Sequence, residues 1–320
     1  MRGNPTTRRA DGNMPLLKLF SSDGFDFPLP AGHRFPLQKY RRLRHAIEQD
    51  ELCDRVRLLV PSPAEDRQLL RVHTESYLER VLAGTLEAAE IRRIGLPWSP
   101  QLVERSRRSV GGTIAACRAA LIDGVSMNLA GGTHHAHAGY GAGFCVFNDV
   151  AVAARELQAG STGPILVIDC DVHQGDGTAQ IFAGDPSVFT FSIHGERNFP
   201  FRKANSDLDI GLPDGTGDAE YLAVLAPALG QLFGDFHPDL ALYLAGADPY
   251  LDDRLGRMKL TKAGLAARDT LVLDACRERQ VPLAIVLAGG YPRQITDVVE
   301  IHLQTVRLAA DSLDRFGSSV

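Results

Sequence analysis

The chain has 320 residues, 44% hydrophobic and 23% charged, which is the composition of an ordinary globular protein with core enough to need no disulfide staple. A formal net charge of −5 gives no reason to expect nucleic acid or a membrane as the main partner, and no run reaches the roughly 18 apolar residues of a membrane helix. Five cysteines with no C-x-x-C pair exclude a disulfide framework and fit a reducing cytoplasm.

In chain order, the first thirteen residues (MRGNPTTRRADGN) are expected to be a disordered tail. The stretch that follows, MPLLKLF, is too short for an export signal and is broken by Lys18. Residues 14–320 then read as one domain. Strands are expected at RVRLLV (55–60), VSMNLA (125–130), PILVID (164–169), SVFTFSI (187–193), DLALYLA (239–245) and PLAIVLA (282–288). Several are apolar at nearly every position, as strands buried on both faces should be. Between them lie helix patterns such as SPQLVERSRRSVGGTIAACRAALIDG, which opens on Ser-Pro and closes on Gly124. TGDAEYLAVLAPALGQLF and TKAGLAARDTLVLDACRERQ are two more. The alternation argues for an α/β fold, a mostly parallel sheet with helices on both faces. FPFRKANSDLDIGLPDGTGD is the longest irregular stretch, and such loops are often functional.

In an open parallel sheet, ligands bind beyond the carboxyl ends of the strands. VSMNLA is followed there by GGTHHAH, PILVID by CDVHQGDG and SVFTFSI by His194. DLALYLA is followed by GADP and PLAIVLA by GGYP. One aspartate at a strand end often only caps the next helix; five strands delivering such groups to one edge point to a site. DCDVH alternates Asp169, Asp171 and His173, which in an extended backbone point the same way. Asp171, His173 and Asp248 can therefore meet as an O, N, O set, the three-ligand arrangement of a catalytic zinc. Beside activated water, one of the paired His134 and His135 can move protons while the other stabilises charge. Each needs an orienting acceptor, and Asp169 and Asp176 are free for that task. Tyr291 can donate to an oxyanion, and His137 reads as a rim or packing residue.

These residues resemble the zinc-dependent histone deacetylases and their bacterial amidohydrolase relatives. GGTHHAHAGYGAGFCVFND, VIDCDVHQGDGT, FTFSIH, LAGADP and LAGGYP occur in the family's order, and with GHRFPLQKY they cover about residues 16–310. HRFPLQKYRRL, NFPF and DPYLDDRLGRMKLTKAGLAARD look closest to the class IV branch and its bacterial members. The resemblance implies an arginase/deacetylase-like fold and removal of acetyl or longer acyl groups from lysine by metal-activated water. It matches Asp171, His173 and Asp248 to the zinc ligands, His135 to the general base and acid, and His134 to its electrostatic partner. Asp176 and Asp169 match their respective carboxylates, and Tyr291 the carbonyl-polarising tyrosine. Gly143, Phe144 and Phe199 match channel walls. Asp169, Asp171, His173, Ser192 and Ile193 match a structural potassium site, and Arg34 an arginine of an inner cavity.

Two departures matter. Where class I relatives carry a substrate-gripping rim aspartate, RRIGLPWSP has none, and Ala288 stands where some relatives have a third glycine. The implied substrate is an acyl-lysine protein or a small acylated amine, with the acetylpolyamine amidohydrolases as the alternative. An arginase-like ureohydrolase with two manganese ions is a remote third, since the His-His pair and GGY have no task there.

Overall fold

Runs such as ILVID leave no face to water, so they can be strands only where helices cover both sides of the sheet. The computed structural model describes residues 16–316, and the expected tail over 1–13 lies outside them. Its strands are β1 (Leu17–Phe20), β2 (Val56–Leu59), β3 (Val125–Asn128) and β4 (Ile165–Asp169). They continue with β5 (Val188–Gly195), β6 (Leu208–Leu212), β7 (Leu240–Leu244) and β8 (Leu283–Val286). All eight form one sheet in the order β2-β1-β3-β8-β7-β4-β5-β6, and every pairing is parallel. The five strands whose ends carry polar groups are thus the contiguous run β3-β8-β7-β4-β5. Their order along the sheet departs from their order in the chain, which opens a crevice at their carboxyl ends.

Alternation along β4 divides the core in two. Leu166 and Ile168 face one apolar layer, built with helices Gln38–Glu48, Asp218–Asp235, Lys262–Glu278 and Ile295–Phe316. Ile165 and Val167 face the other, built with helices Glu75–Ala83, Pro100–Asp123 and Asp149–Ala159. The helix expected after Ser99 starts there, with the Ser99 hydroxyl accepting from Leu102 N–H at 3.0 Å and Gly124 closing it at a φ of 97°. Two strands fall where none is expected. β1 (LKLF) lies in MPLLKLF, and β6 (LDIGL) lies within the stretch read as irregular, an edge strand with Asp209 and Gly211 exposed. β6 does alternate apolar and polar residues, but the Asp, Gly and Pro residues around it read as a loop. No helix among the described residues is long and apolar enough to cross a membrane.

One fully buried ion pair ties a helix to the loops above the sheet. Arg268 pairs with Asp269 at 2.8 Å, and Tyr243 and Thr305 hydroxyls donate to the same carboxylate. The guanidinium also donates to the carbonyls of Cys170 and Gly246, the first residues beyond β4 and two beyond β7. Removing one partner of a buried pair leaves an uncompensated charge. Arg268→Met should therefore cost about 3–5 kcal/mol in urea unfolding, and adding Asp269→Leu should recover part of the loss. A single variant as stable as the parent would show that the pair does not hold these loops.

Candidate active site

β4 stops at Asp169, so strand alternation does not align the DCDVH side chains as expected. Short loop hydrogen bonds do so instead. Asp171 N–H donates to Asp169 Oδ1 at 3.1 Å, and His173 N–H donates to Asp171 Oδ1 at 2.9 Å. Asp169 is thereby turned toward His134, while Asp171 and His173 face Asp248. Donor atoms of Asp171, His173 and Asp248 lie within 4.8 Å of one another, and all three residues are buried. His173 Nδ1 lies 2.9 Å from Asp171 Oδ1 and 3.2 Å from Asp248 Oδ2. The outer oxygens are held by backbone: Gly289 N–H donates to Asp171 Oδ2 at 2.8 Å and Val172 N–H to Asp248 Oδ1 at 2.9 Å. Gly289 is required, because a Cβ there would overlap Asp248 Oδ2. Asp248 Oδ2 itself is buried without a well-formed hydrogen bond. A carboxylate oxygen stranded beside a second carboxylate and an imidazole could complete a cation's donor set, and two oxygens with one nitrogen are of the type zinc accepts.

Behind this set each paired histidine has its own carboxylate. His134 Nδ1 lies 2.6 Å from Asp169 Oδ2, and His135 Nδ1 lies 2.6 Å from Asp176 Oδ1. The two rings are stacked obliquely with centroids 4.2 Å apart. Their proton affinities diverge. Burial disfavours charge on His134, but the adjoining Asp169 carboxylate outweighs it and raises the imidazole to about 9. Burial and the positive His134 beside it depress His135 to about 4. His135 is then neutral at pH 7, its proton fixed on Nδ1 by Asp176, which leaves Nε2 as a base. His137 is buried rather than on the rim, contacting Asp176 at 3.3 Å and Gln180 at 2.9 Å.

A cavity of about 670 Å³ leads to these groups, lined by Gly143, Phe144, Phe199 and Tyr291. Phe199 stands edge-on to His135 at 4.8 Å, and Phe144 lies 5.7 Å from Tyr291. Gly143 (φ 54°) allows the backbone to pass against the His135 ring, where a Cβ would come within 2.5 Å of Cδ2. Burial pushes the Tyr291 phenol well above its ordinary range, so it remains a donor. Ser192 pairs in register with Asp169 across β4 and β5, and Ile193 follows it in β5. Arg34 lines the cavity but is exposed, so it forms no buried inner wall. The buried base lining it is Arg105, and buried Lys39 donates to the carbonyl of a lining residue, Ala288, at 3.1 Å.

Several supporting residues carry no motif. Buried His73 links both sides of the histidine loop, bonding His137 O through Nδ1 and accepting from Asn148 N–H through Nε2. Asp149 accepts from Gly132 and Thr133 N–H groups and so shapes the GGT turn. Asp253 accepts from Leu255, Gly256 and Tyr291 N–H groups, fixing the loop that presents the phenol. Asn198 bridges to Leu255 O at 2.8 Å and holds the Phe199 loop against it. A buried polar residue gives no periodic signal; His73 and Asp253 are recognisable only once the loops they join are in place.

Residues 33–306 match the histone deacetylase domain model. An uncharacterised protein of Picosynechococcus is 46% identical over 285 residues, covering 89% of this chain and 95% of its own. The histone deacetylase-like amidohydrolase of Pseudomonas aeruginosa is 32% identical over 82% of this chain and 74% of its own. Among solved structures, an HDAC homolog complexed with SAHA superposes with a TM-score of 0.77 at 25% identity, over 92% of this chain and 84% of its own.

If Asp171, His173 and Asp248 are the metal's only side-chain ligands, elemental analysis should find one zinc per chain. Asp171→Ala should hold almost none, since a two-ligand site binds weakly. Two metals per chain, or full zinc in the variant, would overturn the assignment.

Proposed function

The chain belongs to the histone deacetylase family, and on that premise we propose that it is a zinc-dependent deacylase, cleaving the amide between an acetyl or longer acyl group and a lysine Nε. The observation that carries this reading is the pair of His–Asp couples with opposite protonation beside a buried three-ligand set. Zinc held by Asp171, His173 and Asp248 would polarise the amide carbonyl and make water nucleophilic near neutral pH. Among the described residues this is the one such donor cluster, which favours a single-metal hydrolase over a two-metal ureohydrolase.

The chain's own residues account for the rest. His135 Nε2 accepts the proton of the attacking water and then delivers it to the leaving amine nitrogen, while Asp176 keeps the ring in one orientation. His134, carrying a proton shared with Asp169, supplies positive charge beside the carboxylate-rich floor. The Tyr291 hydroxyl donates to the amide oxygen as negative charge gathers there. Phe144 and Phe199 enclose the aliphatic arm of the substrate and keep water away from it. Five unpaired cysteines suit a reducing cytoplasm.

Each role has its own signature. His135→Ala should lose about 10²- to 10⁴-fold in rate with zinc retained, and more than His134→Ala loses. The reverse order would exchange the two assignments. Tyr291→Phe removes only a hydroxyl, so the loss should fall on kcat, at about 10²- to 10³-fold. Wild-type turnover by that variant would remove tyrosine from the mechanism.

The family resemblance to class IV and the absent rim aspartate imply tolerance of long acyl chains. One lysine peptide carrying acetyl, butyryl, octanoyl or myristoyl groups should show turnover beyond acetyl. A strict acetyl preference would confine the enzyme to deacetylation.

A further inference from the structure

The charge around the cavity runs against that of the chain. Although the protein has a net charge of −5, seven arginines line this one cavity. Arg105 is buried and donates to Ser22 O, whereas Arg34, Arg92, Arg93, Arg197, Arg254 and Arg257 are exposed. The one acidic residue lining the cavity is Asp171, at the floor among the candidate ligands. Arg257 pairs with Asp214 at 3.1 Å. None of the other five exposed arginines has a carboxylate within ion-pair distance among the described residues. Arg254 reaches only the carbonyls of Tyr291 and Arg34, and Arg93 lies over the Tyr140 ring. Most acids on the same elements are engaged elsewhere: Glu90 pairs with Arg80, Asp252 with Arg293, and buried Asp253 holds backbone. Exposed Glu196, next to Arg197 in the chain, makes no ion pair with it.

A lone exposed arginine is usually only solvated. Six around one opening repel one another and attract anions, and a low-dielectric cleft focuses that field. The arrangement disfavours a polyamine, whose amines are cationic. We propose that the substrate carries acidic groups beside the acylated amine: an acyl-lysine within a segment rich in Asp, Glu or phosphorylated side chains. This rests on the deacylase reading above and narrows it to a substrate class. It also gives the missing rim aspartate a physical meaning, because this rim is built to hold the opposite charge.

The test compares acetyl-lysine peptides that differ only in their flanks: aspartate, phosphoserine, glutamine or lysine. With the full-length zinc enzyme, kcat/KM should fall in the order acidic, neutral, basic. The span should be roughly tenfold or more at about 0.02 M salt and shrink at about 0.3 M. Comparing the aspartate and phosphoserine arms separates the two sources of anionic charge. Arg92→Glu with Arg197→Glu should reverse the order, while a capped, uncharged acetyl-lysine is turned over as before. Binding of the same peptides, read by fluorescence anisotropy, reports on the mouth independently of turnover. Equal affinity for acidic and basic flanks, or preference for basic ones, overturns the proposal. Acidic preference in binding with no hydrolysis of any peptide upholds the charged mouth and overturns only the deacylase reading.

Discussion

Burying several carboxylates together is the constraint from which the rest of this structure follows. Asp169, Asp171 and Asp248 are all withdrawn from water at the ends of adjacent strands. A buried charge survives only when paired and hydrogen-bonded. The backbone amides of Gly289 and Val172, the imidazole of His134 and a donor set that could hold a cation are the answers the fold offers. Arg268 adds a second layer, since its guanidinium fixes the carbonyls from which two of those loops depart. The floor of the site is thereby rigid before any substrate arrives, which is what electrostatic stabilisation of a transition state requires.

The same constraint separates two side chains that the sequence presents as equals. His134 and His135 are neighbours of one type in one loop, each with a carboxylate on Nδ1. Asp169 sits deeper, beside Asp171, so the local negative charge favours a proton on His134. That proton then disfavours a second one on His135. Adjacent groups with divergent proton affinities can offer an acid and a base side by side near neutrality, which is what the proposed hydrolysis asks of them.

Much of this was readable before any coordinates. Strand runs apolar at every position and the polar residues following them identified the parallel sheet, the edge where those polar residues gather, and the cluster of Asp171, His173 and Asp248. What escaped is masked by its surroundings or lacks a motif. β1 (LKLF) is interrupted by Lys18, and β6 (LDIGL) alternates apolar and polar but sits among Asp, Gly and Pro residues that read as a loop. The strand-based account of DCDVH picked residues that do converge, but for the wrong reason, because β4 ends at Asp169 and the loop's own hydrogen bonds do the aligning. Arg34 illustrates the limit of matching one basic residue in a short segment. Five residues further on, Lys39 is the base that folding buries. His73, Asp253 and Arg268 act between segments far apart in the chain, and no local pattern announces such a link.

The rim and the proposed base are joined by backbone. Gly143 N–H donates to Arg93 O at 3.1 Å, and Phe144 N–H donates to Ile94 O at 2.7 Å, while Gly143 lies against the His135 ring. The segment that displays Arg92 and Arg93 is therefore also the scaffold that sets the channel wall over the imidazole. On the proposed reading, selectivity and catalysis would be mechanically coupled there: exchanging side chains at the rim leaves the wall in place, whereas inserting or deleting residues in that segment would move it against the His135 ring.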